Sequence, residues 1–155
     1  MLRAEIVLKD CRYAHEMLES VLDERRFRVY WVASLSLLRA VGHVLRKVDA
    51  ETSPEVREAV DRAWKRWSAN RGAHALFWEF IERERNLVLK EYEIRLSMDG
   101  ATMCIESDTG DMVAEHLSAE YYVPVTQGHF ASEDAREVVG DAIRWWTEEL
   151  ALISG

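Results

Sequence analysis

The chain has 155 residues, 48% of them hydrophobic and 31% charged, with a formal net charge of −8. That composition is enough for one domain with a real core and excludes a disordered chain. The longest apolar run, Val29 to Leu38, is too short for a bilayer span, and the charged start Met1-Leu2-Arg3-Ala4-Glu5 lacks an apolar signal region. No membrane association is expected, and a bacterial-type cytoplasmic protein is the natural reading.

Helical periodicity predicts four helices over residues 3–98. The first is expected from Arg3 to Asp23, with Val7, Cys11, Ala14, Leu18, Val21 and Leu22 inward. The second is expected from Arg26 to Val48, with Phe27, Tyr30, Trp31, Ser34, Leu37, Leu38, Val41 and Leu45 inward. No Gly or Pro marks the break between them, so one long bent helix is the alternative. Thr52-Ser53-Pro54-Glu55 opens the third helix with a hydroxyl cap, a proline and an acid in the first turn. Asn70-Arg71-Gly72 makes a turn, and the fourth helix is expected from Ala73 to Ser97, stopped by Asp99-Gly100.

Residues 99–131 change character. Ala101–Glu106 is partly β-prone, Asp108-Thr109-Gly110-Asp111 reads as a hairpin turn, and Tyr121–Val125 is a second strand candidate, on an edge because of Pro124. The last helix is expected from a Ser132 cap to Ile153. The expected fold is therefore mostly α: an up-and-down four- or five-helix bundle with a small β-hairpin or irregular insertion before the last helix. Residues 1–98 form the bundle. Residues 99–155 form an acidic hairpin lobe plus a C-terminal helix, all within a single domain.

Charge divides the same way. Residues 1–98 carry 18 Lys/Arg against 16 Asp/Glu, and residues 99–155 carry 2 against 12. RNA, if bound, must meet the first part, because the acidic part repels a phosphate backbone and can cover that surface.

Two glutamates stand out on the fourth helix. Glu84 and Glu91 lie seven residues apart on the stripe of Phe77, Phe80, Ile81, Leu87 and Val88. Buried carboxylates need partners. A metal or acid–base site is one reading. The other is a bond to an Arg, Tyr, Trp or Ser of a neighbouring helix, with Arg95 available to Glu91 at the i+4 position. No Glu-x-x-His or His-x-x-x-His exists and the two cysteines, Cys11 and Cys104, look like core fillers, so no metal or other cofactor is expected.

On the flank of that helix, in line with Trp78, runs Arg85-Asn86-Leu87-Val88-Leu89-Lys90-Glu91-Tyr92. The pattern Arg-Asn-x-x-x-Lys-x-Tyr resembles the Arg-Asn-x-x-x-His-x-Tyr signature of the HEPN superfamily. Those are small helical-bundle proteins, many of them metal-independent ribonucleases of toxin–antitoxin and phage-defence systems. The resemblance implies catalytic positions at Arg85, Lys90 and Tyr92, with Lys90 in place of the catalytic histidine, and RNA binding at Asn86. Histidine exchanges protons near neutral pH; a solvated lysine stays protonated. The implied protein is a member with weakened or absent ribonuclease activity, with RNA or an antitoxin-type protein as partner. The same run also reads as a charged helix face making local ion pairs.

Arg28, Arg39 and Arg46 share one flank of the second helix, with His43 and Lys47 beside it. They are the candidate phosphate contacts for RNA, or else pair with neighbouring acids. On the last helix, Val138, Trp145 and Leu152 form a second apolar line at seven-residue spacing, covered either by the hairpin lobe or by another chain. The expectation is a homodimer with Trp145 near the contact. A non-catalytic, self-associating interaction module is the alternative to the RNA reading.

Overall fold

A computed structural model describes all residues, 1–155. Helix α1 (Arg3–Ser20) and α2 (Glu24–Lys47) are separate, joined by a tight Val21–Asp23 link. The break the sequence marks weakly is made by Asp23, whose side chain accepts the Arg26 amide at 2.8 Å and caps α2. A short 3₁₀ turn, Asp49–Glu51, follows. Its buried Asp49 accepts the Arg3 and Ala4 amides at 2.8 and 2.9 Å, so the free amides that open α1 are satisfied from a distant part of the chain. Helix α3 (Pro54–Ala69) begins at the expected Ser53 cap.

The fourth helix departs from expectation. It opens as a π-helical stretch, Leu76–Glu82, and continues as α4 (Arg83–Glu91). It does not reach Ser97. Tyr92 takes the left-handed conformation (φ 51°) and its amide caps the Leu87 and Val88 carbonyls. Residues 93–98 then run extended: the Ser97 amide donates to the Pro124 carbonyl at 3.1 Å and the Thr126 amide to the Arg95 carbonyl at 2.9 Å. The reason is legible in Glu93-Ile94-Arg95-Leu96-Ser97-Met98, a strict polar–apolar alternation of strand period.

The hairpin comes before the last helix, as expected, but its second strand is not Tyr121–Val125. Strand β1 (Ala101–Glu106) pairs antiparallel with β2 (Met112–Leu117), from Ala101 opposite Leu117 to Glu106 opposite Met112. The turn is where the sequence puts it, with Gly110 at φ 83° and its amide donating to the Ser107 carbonyl at 2.8 Å. Tyr121–Val125 instead makes single bridges from Val125 to Leu96 and from Pro124 to Asp134. Asp134, not Ser132, caps the last helix, α5 (Ala135–Ser154).

One hydrophobic core runs from Ala4 to Ile153, so the helices on both sides of the hairpin share it. Its largest fully buried side chains are Trp31, Trp67 and Trp146. Trp67 packs on Trp146 and Trp145, with ring centroids 5.6 and 5.2 Å away, and the Trp146 indole donates to the Leu38 carbonyl at 2.9 Å. α2 and α5 approach closely at Gly42. A Cβ there would stand 2.9 Å from the Trp146 ring. No helix is long and apolar enough to cross a membrane.

Candidate anion-binding groove

Helical spacing puts Ser36, Arg39, His43 and Lys47 along one side of α2. Across from them, α4 presents Arg85 and, one turn on, Leu89. Ser36, Arg39, Ala40, His43, Arg85 and Leu89 line a cleft of about 400 Å³. A second cleft of about 270 Å³, lined by Arg39, Gly42, His43, Arg46, Lys47 and Trp64, shares Arg39 and His43 with it. Together they form one groove running down α2.

The groove is electropositive because its cations are not neutralised. Some arginines elsewhere on the helices pair locally: Arg28 with Glu24, Arg62 with Glu58, Arg83 with Glu79. Arg39, Arg46, Lys47 and Arg85 have no carboxylate oxygen within 4.0 Å. Burial lowers the Arg39 guanidinium from its ordinary value; Glu82 opposes this, and the fields of Arg85 and Arg46 add to it. An arginine keeps its proton regardless, so the crowding is a store of unfavourable charge that an anion relieves. Arg46 lies over the Trp64 ring, 4.7 Å from its centroid, and Arg39 is 6.0 Å from that of Phe77. The Arg85 guanidinium donates to Asn86 Oδ1 at 2.9 Å.

The structure does not gather the Arg-Asn-x-x-x-Lys-x-Tyr residues at one point. Arg85 faces the groove. Asn86 and Lys90 line a different cleft with Arg71, Trp78, Glu79, Glu82, Arg83, Leu87 and Glu91, a mixed-charge surface. Tyr92, off the helix and 64% exposed, lines a third cleft with Glu24, Phe27, Arg28, Ile94, Leu96 and Met98. Trp78 is not in line with Arg85 and Tyr92: the π-helical stretch offsets it, and Arg71 stacks on its ring at 4.0 Å. Arg28, expected beside Arg39 and Arg46, sits in the Tyr92 cleft and pairs with Glu24 at 4.0 Å.

The two acids part company as well. Glu84 is buried as expected and lies 4.0 Å from Arg95. Burial pushes its carboxyl up from the ordinary range, against the opposing pull of Arg95 and Arg83. Glu91 is exposed in the last turn of α4, and Arg95, beyond the helix end, serves Glu93, at 3.3 Å, and Glu84 instead. No cluster of His, Cys, Asp or Glu is arranged to hold a metal ion. Cys11 is buried, its thiol pushed up to about 12 by burial, while Cys104 is exposed on β1 rather than filling the core.

The second apolar line of α5 is closed within the chain, by α3 and the π-helical stretch rather than by the hairpin. Val138 is fully buried. Trp145 packs against Trp67 and Phe77, and its indole donates to His74 Nδ1 at 3.2 Å. Only Leu152 is exposed. The sequence reading missed Glu149, buried beside this cluster, which accepts from Arg66 and from the Trp67 indole. It also missed Ser36, Leu89 and Trp64 as groove walls. Their shared i, i+3, i+4 phase with the basic residues of α2 and α4 is the signal that finds the first two; Trp64 depends on tertiary packing. No protein-family model matches the chain, and no curated protein or solved structure matches it.

Proposed function

We propose that this chain is a cytoplasmic, HEPN-like RNA-binding protein that holds the phosphate backbone in the α2–α4 groove with little or no cleavage of its own. The observation that carries this reading is the convergence of Arg39, Arg46, Lys47 and Arg85, none paired to a carboxylate, on one groove. Guanidinium forks bind phosphate in bidentate fashion, and releasing counterions makes such binding favourable. The Arg85–Asn86 bond fixes the guanidinium in place.

Weak catalysis follows from the separation of the motif. Attack by a 2′-hydroxyl needs a base and a charge-stabilising group around one phosphate. Lys90 and Tyr92 line clefts other than that of Arg85. A role in toxin–antitoxin or defence systems rests on the motif resemblance alone.

The test is fluorescence anisotropy of a labelled single-stranded RNA against purified protein over a salt series. Three to four phosphate contacts should give a log–log slope of about −2 to −3. Arg39→Glu with Arg85→Glu should abolish binding, and Lys90→Ala should leave it nearly unchanged. Salt-independent binding, or binding indifferent to the groove variant, sinks the reading. A second reading, a self-associating interaction module, is favoured by the solvent-facing apolar side of the hairpin.

A further inference from the structure

The β1–β2 hairpin stands in solvent on both faces. Its register puts Ala101, Met103 and Ile105 on one face, opposite Leu117, Glu115 and Val113. Met103, Ile105 and Val113 are 45%, 43% and 47% exposed. Two strands alone are marginal in water, and an apolar hairpin face gains by being covered. Within residues 99–117 lie Asp99, Glu106, Asp108, Asp111 and Glu115, with no lysine or arginine. The hairpin is thus an acidic arm with an apolar side.

Charge selects its occupant. Two hairpins placed face to face would set like charges against each other. The α2–α4 groove is the opposite kind of surface: four unpaired cations around His43, with exposed Leu89 and half-buried Ala40 as apolar floor. Lengths agree. Ser36 to Lys47 spans about 17 Å along α2 at 1.5 Å per residue. A six-residue strand spans about 20 Å.

We infer that the hairpin of one copy docks in the α2–α4 groove of a second copy, each copy giving an arm and receiving one. Met103, Ile105 and Val113 meet Leu89 and Ala40 of the other copy, while Glu115, on the same face, and the turn acid Asp108 at the tip meet its Arg39, Lys47 and Arg85. The exchange closes as a two-fold dimer. The arm then holds the place of a nucleic-acid backbone, and dimer and RNA compete. The inference needs only the charge of the groove, which also underlies the RNA reading.

The experiment is sedimentation of the full-length protein across a salt series, with RNA anisotropy on the same samples. The unmodified protein should dimerise, with dissociation at least tenfold stronger at high salt. Asp108→Lys with Glu115→Lys should be monomeric and should bind RNA several-fold more tightly. Adding Arg39→Glu and Arg85→Glu to that variant should restore the dimer. A monomeric unmodified protein, or a dimer that survives reversal of the arm alone, overturns the inference. Carbodiimide cross-linking of mixed isotope-labelled and unlabelled unmodified protein needs no variant. Links from Asp108 or Glu115 to Lys47 between copies support the docking, and inter-copy links confined to other surfaces overturn it. A charge swap that works while no variant binds RNA would leave the dimer standing and the RNA reading refuted.

Discussion

Glu84 Oε1 and Arg95 Nη1 lie 4.0 Å apart with both side chains largely shut off from solvent, and Glu84 Oε2 has no hydrogen-bond partner. A close, doubly bonded pair offsets its desolvation; this loose one does so only in part. Arg95→Ala, which leaves the Glu84 carboxylate unpaired, should cost about 3 kcal/mol at neutral pH in urea denaturation. The cost should shrink in acid. Because the folded carboxyl is raised above its ordinary value of 4.5, the folded state takes up a proton before the unfolded chain does. The penalty of the ionised form is therefore present at pH 7, is relieved as pH falls through the folded pKa, and is gone below the unfolded one. A cost that stays constant from pH 7 down to pH 5, within roughly 0.3 kcal/mol, would contradict this account.

Asp49 joins the 3₁₀ turn to the start of α1 through two backbone amides. Asp49→Ala should lower stability by about 2 kcal/mol, since it removes a charged cap and strands buried donors. Asp49→Asn retains one acceptor oxygen and should lose about half as much. Equal losses for the two variants would mean that the amides are satisfied in another way.

Gly42 and Gly72 make a matched pair. A methyl group at Gly42 presses on Trp146 at 2.9 Å, whereas at Gly72 the nearest atom is 4.0 Å away. Gly42→Ala should destabilise by about 1–3 kcal/mol through overpacking. Gly72→Ala should be neutral or stabilising by up to about 1 kcal/mol, through the entropy of the unfolded chain. Thermal melts of the two variants check the order.

Tyr92 carries left-handed backbone at φ 51° without being glycine. Tyr92→Gly should raise stability by about 1 kcal/mol by removing that strain. It should leave RNA affinity unchanged, because Tyr92 lies outside the groove. A loss of affinity in this variant, with stability intact, would return Tyr92 to the binding surface.

The helices were legible because each buries an apolar face against the shared core, and that face is written in every third or fourth residue. The caps at Asp23 and Asp134 were harder to find: both are common surface acids, and only the geometry shows that each accepts an amide. The end of α4 was misplaced because Ile94 and Met98 continue a spacing of four, while the competing alternation of Glu93 to Met98 has period two. That misplacement also moved Arg95 from Glu91 to Glu84. Leu117 and Val113 hid the second strand among exposed residues, since a strand without a buried face lacks the usual pattern. The groove was half visible. Arg39 and Arg46 shared a flank in sequence, but only the packing of α4 against α2 brings Arg85 to them.

Five of the six tryptophans form one connected aromatic wall: Trp64 touches Trp67 and Trp78, and Trp67 touches Trp145 and Trp146, with centroid separations of 6.0 Å or less. Excitation absorbed anywhere in such a wall migrates to a common emitter. At the groove end of the wall stands Trp64, beneath the Arg46 guanidinium. An anion that drew Arg46 off the ring would change the environment of that indole, so tryptophan emission offers a dye-free readout of binding in the groove.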